Sequence, residues 1–264
     1  MMIHGLNGGR LGKNNETKAL GAMPGSWTNN EQALARRLDQ WPLNIITTDL
    51  QLYLDAGNKL SYPGTGGLWV DLSGNQNHTR ILSPSFTTDA GGGIVMSSTT
   101  YCDRPNARNI NFANGGFTLS VWLKHTGVVD TSLTQRYLSI NSSPVEGPVM
   151  RHNASSAASL HGYVYDSSST FRELDIASQV YSGNYYNFVY TYNGSVFKLY
   201  SNNTEVGSLS TAITLPTPSN HFVIGGTGEP LNGNMYIVSY YNRGLTAAEI
   251  SHNYNTTKAR FGLT

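Results

Sequence analysis

Two acids spaced two residues apart, Glu173 and Asp175, are the first candidates for chemistry in this sequence. Alternate residues of a β-strand share a face, so a strand through Glu173-Leu174-Asp175-Ile176 sets both carboxylates side by side. A retaining glycoside hydrolase uses two carboxylates about 5–5.5 Å apart, one as nucleophile and one as acid/base. Other catalytic constellations are missing. Cys102 is the one cysteine; it sits in no nucleophile motif, and a lone cysteine behaves as a small buried hydrophobe. No Gly-x-Ser-x-Gly elbow occurs, and the 7 histidines show no His-Glu-x-x-His or comparable metal spacing. Gly91-Gly92-Gly93 lacks the Gly-Lys-Ser/Thr that completes a phosphate cradle.

Binding chemistry is better represented. Calcium takes six to eight oxygens, carboxylates among them; Asp71, Asn75 and Asp55 are the candidate ligands, whereas Asn232, Gly233 and Asn234 add no acid. Calcium is the one cofactor the sequence leaves open, and none is required. Sugars are held by aromatic faces and by amide or hydroxyl groups, and the chain has 16 Tyr. Tyr163 and Tyr165 share one strand face, as do Tyr190 and Tyr192, which makes these four the candidate glycan-binding residues. Alternating tyrosines also simply complete strand faces.

The elements that position these residues follow from the hydrophobic period. From about residue 45 the apolar side chains alternate, beginning with Leu50, Leu52 and Leu54. Similar runs recur at 117–124, 136–140, 161–166, 185–193, 196–202, 221–226 and 235–242, separated by Asn-Gly, Gly-Gly and Ser-rich turns. Asn193-Gly194 is the strongest hairpin signal. Many short strands without alternating helices predict an all-β, antiparallel two-sheet jelly-roll sandwich. Trp69 and Trp122 have the size to fill its core. Near the C-terminus Thr246 and Glu249 form a capping-box pair, and Ile250 with Tyr254 an i,i+4 apolar pair, so a helix closes the domain.

Residues 1–44 read differently. A Gly-rich arm, residues 1–25, buries too little to offset its own ordering, and a short helix follows, opened by Thr28 and Glu31 and stopped by Pro42. We expect this segment to dock the sandwich (residues 45–264) to a partner, through Trp27, Arg36, Arg37 and Trp41.

Composition narrows the partners. Charged residues make up 12% of the chain, about half the usual share, and the net charge is +1. A phosphate-neutralising face is absent from this balance, so nucleic acid is not expected. Neither a signal peptide nor a run of about 20 apolar residues is present, so membrane insertion is not expected, and synthesis in a reducing cytoplasm is.

The segment LQLYLDAGNKLSYPGTGGLWVDLSGNQNH (50–78) resembles the opening of laminin-G-like, concanavalin A-like modules of bacteriophage virion proteins. FTLSVWLK, YNFVYTYNGSVFKLYSNNTEVG and LNGNMYIVSYYNRGLTAAEISHNYNTTKARFGL resemble that family's later strands and closing helix. The resemblance implies a non-enzymatic structural protein, located in the virion and made in the host cytoplasm, which displays a lectin-like sandwich as part of the tail and fibre apparatus or as a capsid decoration. It implies other virion proteins as partners through residues 1–44, further copies of the same chain, and weak adhesion to host surface polysaccharide. The alternative reading is a calcium-assisted carbohydrate-binding adhesin. Glu173-Leu174-Asp175-Ile176 also resembles the start of the Glu-x-Asp-x-x-Glu strand of concanavalin-fold glucanases, but Ser178 stands where the second glutamate belongs. That departure argues against a glycoside hydrolase.

Overall fold

The computed structural model describes residues 44–264 except 108–109, 113, 127–131, 144–145, 155–158, 180–181 and 227. The proposed docking residues Trp27, Arg36, Arg37 and Trp41 lie outside the described residues. Among the described residues sixteen strands, numbered in chain order, form two antiparallel sheets of eight. The first sheet runs β14 (Thr204–Ser210), β13 (Val196–Ser201), β12 (Tyr185–Tyr192), β7 (Phe117–His125), β16 (Gly233–Tyr241), β5 (Gly93–Met96) and β4 (Phe86–Thr87), with β1 (Leu50–Asp55) also paired to β16. The second runs β11 (Phe171–Ile176), β10 (Ser159–Tyr165), β9 (Val149–Asn153), β8 (Gln135–Ser143), β15 (Thr217–Ile224), β6 (Tyr101–Arg104), β3 (Thr79–Leu82) and β2 (Leu68–Trp69). This is the expected two-sheet sandwich.

The expected hairpin joins β12 to β13. Asn193 Oδ1 accepts from the backbone N–H groups of Ser195 and Val196, and Gly194 takes the positive φ of 94° that the turn requires. Between the sheets lies one apolar core that includes Trp69, Phe117, Leu119, Tyr137, Phe188, Tyr190, Tyr192 and Phe222. The sheets approach closely enough that Gly162 of β10 touches the Tyr190 ring; a Cβ there would sit 2.8 Å from it.

A second apolar layer covers the other face of the first sheet. Helix α1 (Ala247–Thr257) starts at Thr246 with the predicted capping box and buries Ile250 and Tyr254. A 3-10 turn, Lys258–Phe261, follows it. Trp122 belongs here and not in the sandwich core, contrary to expectation: its ring stacks on Phe261 at 4.1 Å and on Tyr254 at 5.5 Å, and its Nε1 donates to Thr257. The reason is alternation, because Trp122 follows Val121, which points inward. Residues 44–46 run along the same helix, where Asn44 O accepts from His252 and Ile46 N donates to Asn253.

The three candidate metal ligands serve the fold. Both Asp71 carboxylate oxygens are engaged, accepting from the N–H groups of Tyr53, Ser73 and Asn77 and from the Ser73 hydroxyl. Asn75 Nδ2 donates to Leu50 O and to the Ser73 hydroxyl. Asp55 accepts from Gly57 N and from Arg260, whose guanidinium also donates to Ala90 O and Gly92 O. The 71–77 turn thus clamps β1, and Arg260 fastens the C-terminal turn to it. Among the described residues no three His, Cys, Asp or Glu side chains are grouped to hold a metal.

Two histidines lie inside the sandwich. The ring of His125 sits 6.3 Å from that of His152, and its Nε2 is 3.0 Å from the Tyr137 hydroxyl. Burial, with the neighbouring His152 adding to it, pushes His125 down to about 3. An unfolded histidine takes its proton near pH 6.5. Between those values the unfolded chain binds the extra proton, so stability is complete above pH 6.5 and falls as the pH drops towards 3, by up to about 1.4 kcal/mol per unit. Urea unfolding at pH 7, 6, 5 and 4 is expected to show this slope, and His125→Asn is expected to flatten it.

Candidate functional site

The outer face of the first sheet is occupied by the helix, which leaves the outer face of the second as the candidate site. Strand pairing lines up its outward residues in rows. One row crosses seven strands through Arg80, Asp103, Val223, Ser139, Val149, Tyr163 and Glu173. The next contains Arg136, Arg151, His161 and Asp175. A bulge in β8 between Arg136 and Leu138 turns both Tyr137 and Leu138 inward and keeps Arg136 outward.

Arg136 and Arg151 are cross-strand neighbours, and like charges placed opposite each other repel. Glu229, from the β15–β16 loop, resolves this by accepting from Arg136 Nε at 2.8 Å and from Arg151 Nη1. Glu146, from the β8–β9 loop, accepts from Arg136 Nη1 at 2.8 Å and from the Tyr163 hydroxyl at 2.6 Å. The Arg151 guanidinium also lies over the Tyr163 ring, 4.7 Å from its centroid. Burial would raise the Glu146 carboxyl, but the Tyr163 hydrogen bond and the two guanidiniums outweigh it and hold it below the usual carboxylate range. Burial and the same carboxylate push Tyr163 up.

His161 shares this network. Its Nδ1 faces Arg151 Nε at 3.1 Å, and arginine only donates, so Nδ1 is the acceptor and Nε2 carries the hydrogen that Glu173 accepts at 3.0 Å. This is the neutral form, and burial together with Arg151 lowers the histidine's pKa accordingly. Asp175 accepts from Asn153 Nδ2 at 2.8 Å.

Aromatic rings line the adjoining end of the face. Phe171 lies 5.0 Å from Tyr165 and 5.3 Å from Tyr163, and it is 39% exposed, one of four large apolar side chains so exposed among the described residues.

Of the four candidate tyrosines, Tyr163 and Tyr165 lie on this side of the sheet, but Tyr163 is 3% exposed, packed against Arg151 and Phe171, and only Tyr165 is part-exposed. Tyr190 and Tyr192 do not lie there: they are 1% and 0% exposed within the core, packed against Phe117 and Phe197, and so present no ring to a sugar. β12 is buried at seven of its eight positions, which removes the polar-out half of the alternation that would distinguish the two faces. Glu173 and Asp175 share a face as expected. Ser178 lies beyond the end of β11 at φ 57°, so the position expected for a further acid is off the strand. Sequence reasoning missed Phe171, Arg136, Arg151, Glu146 and Glu229. Phe171 had a usable signal, as an aromatic two residues before Glu173 and therefore on its face; the two loop glutamates had none.

Residues 96–251, more than half of the chain, match the model of the Concanavalin A-like lectin/glucanases superfamily. No curated protein sequence matches the chain. Several solved structures share the fold. The binding domain of botulinum neurotoxin DC in complex with SialylT has a TM-score of 0.64 and 14% identity, over 80% of this chain and 52% of that one. The ligand binding domain of botulinum neurotoxin serotype D in complex with N-acetylneuraminic acid has a TM-score of 0.62 and 15% identity, over 80% and 51%. The binding domain of Paraclostridial mosquitocidal protein 1 has a TM-score of 0.59 and 16% identity, over 80% and 52%. The chain matches about half the length of each.

The bridging role of Glu229 has a measurable consequence. Glu229→Gln leaves two adjacent, largely covered guanidiniums without their shared counter-charge and is expected to cost about 1–3 kcal/mol in urea unfolding. Arg136→Met in the same chain is expected to recover part of that loss by removing the repulsion; a double variant no more stable than the single one contradicts this account.

Proposed function

The chain belongs to the concanavalin A-like lectin/glucanases superfamily, and we propose that this protein binds carbohydrate without cleaving it. The carrying observation is the outer face of the second sheet, where exposed Phe171 and part-buried Tyr165 adjoin a row of carboxylate, guanidinium and amide groups. Sugar sites need an apolar ring for the C–H face of a pyranose and fixed polar groups for its hydroxyls. The fold neighbours crystallised with sialylated ligands support carbohydrate as the ligand class. A non-catalytic role is supported by the paired state of the carboxylates. A glycosidase acid must hold its proton near neutral pH, whereas Glu146 is held below the ordinary range.

We further propose that the module is displayed on a phage particle, in the tail and fibre apparatus or on the capsid. The resemblance of residues 50–78 and 231–263 to virion modules supports this. So does the chain's course: residues 44–46 lie on helix α1, against the first sheet and away from the sugar face. A partner bound next to residues 44–46 would leave the second sheet outward.

Two measurements test these readings. In affinity electrophoresis through a panel of polysaccharides, the wild-type chain is expected to be retarded by at least one. Phe171→Ala is expected to weaken that retardation about tenfold, the scale of one lost aromatic contact, with no reducing ends released. Release of reducing ends by the wild type would refute the non-catalytic reading. For the particle, Trp27→Ala with Trp41→Ala in the full chain is expected to lower incorporation into virions while the far-ultraviolet spectrum is unchanged; undiminished incorporation removes the docking role from this segment.

A further inference from the structure

The charges on the sugar face do not cancel. Arg136 and Arg151 stand among four carboxylates, Glu146, Glu173, Asp175 and Glu229. At the margins Arg80 is paired with Asp103 at 2.8 Å and Arg172 with Asp166 at 3.5 Å, so neither contributes a free cation. His161 is neutral, because its Nδ1 accepts from Arg151. Both central guanidiniums are already engaged, by Glu229 and, for Arg136, by Glu146 and Ser139 as well. Glu173 and Asp175 differ from the other two acids. Their hydrogen-bond donors, His161 and Asn153, are uncharged, both acids are exposed, and both alternate with Phe171 along edge strand β11.

A glycan bearing carboxylate or sulfate groups is received by a guanidinium or ammonium that can turn to it. A neutral sugar instead donates its hydroxyl hydrogens to carboxylates while its C–H face lies on a ring. The second arrangement is the one present beside Phe171. We propose that the ligand of this face is an uncharged hexose polymer, and that Glu173 and Asp175 exclude sialylated, uronic and sulfated glycans by like-charge repulsion. This inference rests on the sugar-binding reading of the face.

The test is affinity electrophoresis of the full chain at low salt through gels containing dextran, laminarin or galactomannan, and through gels containing polygalacturonate or polysialic acid. Retardation by at least one neutral polymer and by neither anionic one is expected. Glu173→Gln combined with Asp175→Asn is expected to increase retardation by the anionic polymers about tenfold or more, since juxtaposed like charges dominate such discrimination. That gain is expected to fade as salt is added. Wild-type binding to an anionic polymer as strong as to a neutral one, lost in Phe171→Ala, overturns the inference and leaves the sugar-binding reading standing. A double variant that gains nothing towards the anionic polymers also overturns it. Failure of the wild type to bind any polymer, neutral or anionic, removes the sugar-binding reading and the inference with it.

Discussion

Strand β16 is buried at all nine of its positions, and the arrangement of the molecule follows from that constraint. A strand with two apolar faces needs a cover on each. One cover is the second sheet, through the core that contains Leu119, Phe188 and Val238. The other is helix α1 with its 3-10 turn, through Trp122, Tyr236, Tyr254 and Phe261. Full burial of each large aromatic side chain is worth on the order of 1.5–3 kcal/mol, so neither layer can be peeled away cheaply. The centre of the first sheet's outer face is thereby covered, while among the described residues no helix lies on the outer face of the second.

That surface is organised by electrostatics more than by apolar packing. The register of β8, β9 and β10 sets Arg136 against Arg151 and Arg151 against His161. Two adjacent guanidiniums fix where the loops must go: Glu229 and Glu146 reach in from separate connections to neutralise them. The result is a pre-formed polar floor with one aromatic end. Groups held in this way would lose little freedom on binding, in keeping with the proposed role of the face.

The same pairing bears on the proposal that this face binds without cleaving. Catalysis by two carboxylates needs one of them protonated and free to give its proton. Here Glu146 is drawn down by Tyr163 and the guanidiniums, while Glu173 and Asp175 accept from His161 and Asn153. The family includes lectins and glucanases alike, and the pairing of these acids is what favours the binding reading.

The sequence by itself determined the local elements, because their causes are local. Alternation placed eight of the sixteen described strands (β1, β7, β8, β10, β12, β13, β15 and β16), Asn193-Gly194 closed its hairpin with a positive φ, and Thr246 with Glu249 capped the last helix. The pairing of Glu173 and Asp175 on one face was legible for the same reason. Which face of a strand looks inward, and what stands beside it, was decided only by the tertiary structure. Tyr163 and Tyr190 have the same kind of alternating neighbours, yet one lies on the outer side of its sheet beneath Arg151 and Phe171 and the other fills the core. Trp122 turned to the helix and not to the sandwich. The acids at 71 and 55 became clamps for β1 and Arg260. Glu229 meets Arg136 and Arg151 across 93 and 78 residues of chain. Contacts at that separation depend on strand order and register, which the packing of all sixteen strands sets together and no short stretch of sequence encodes.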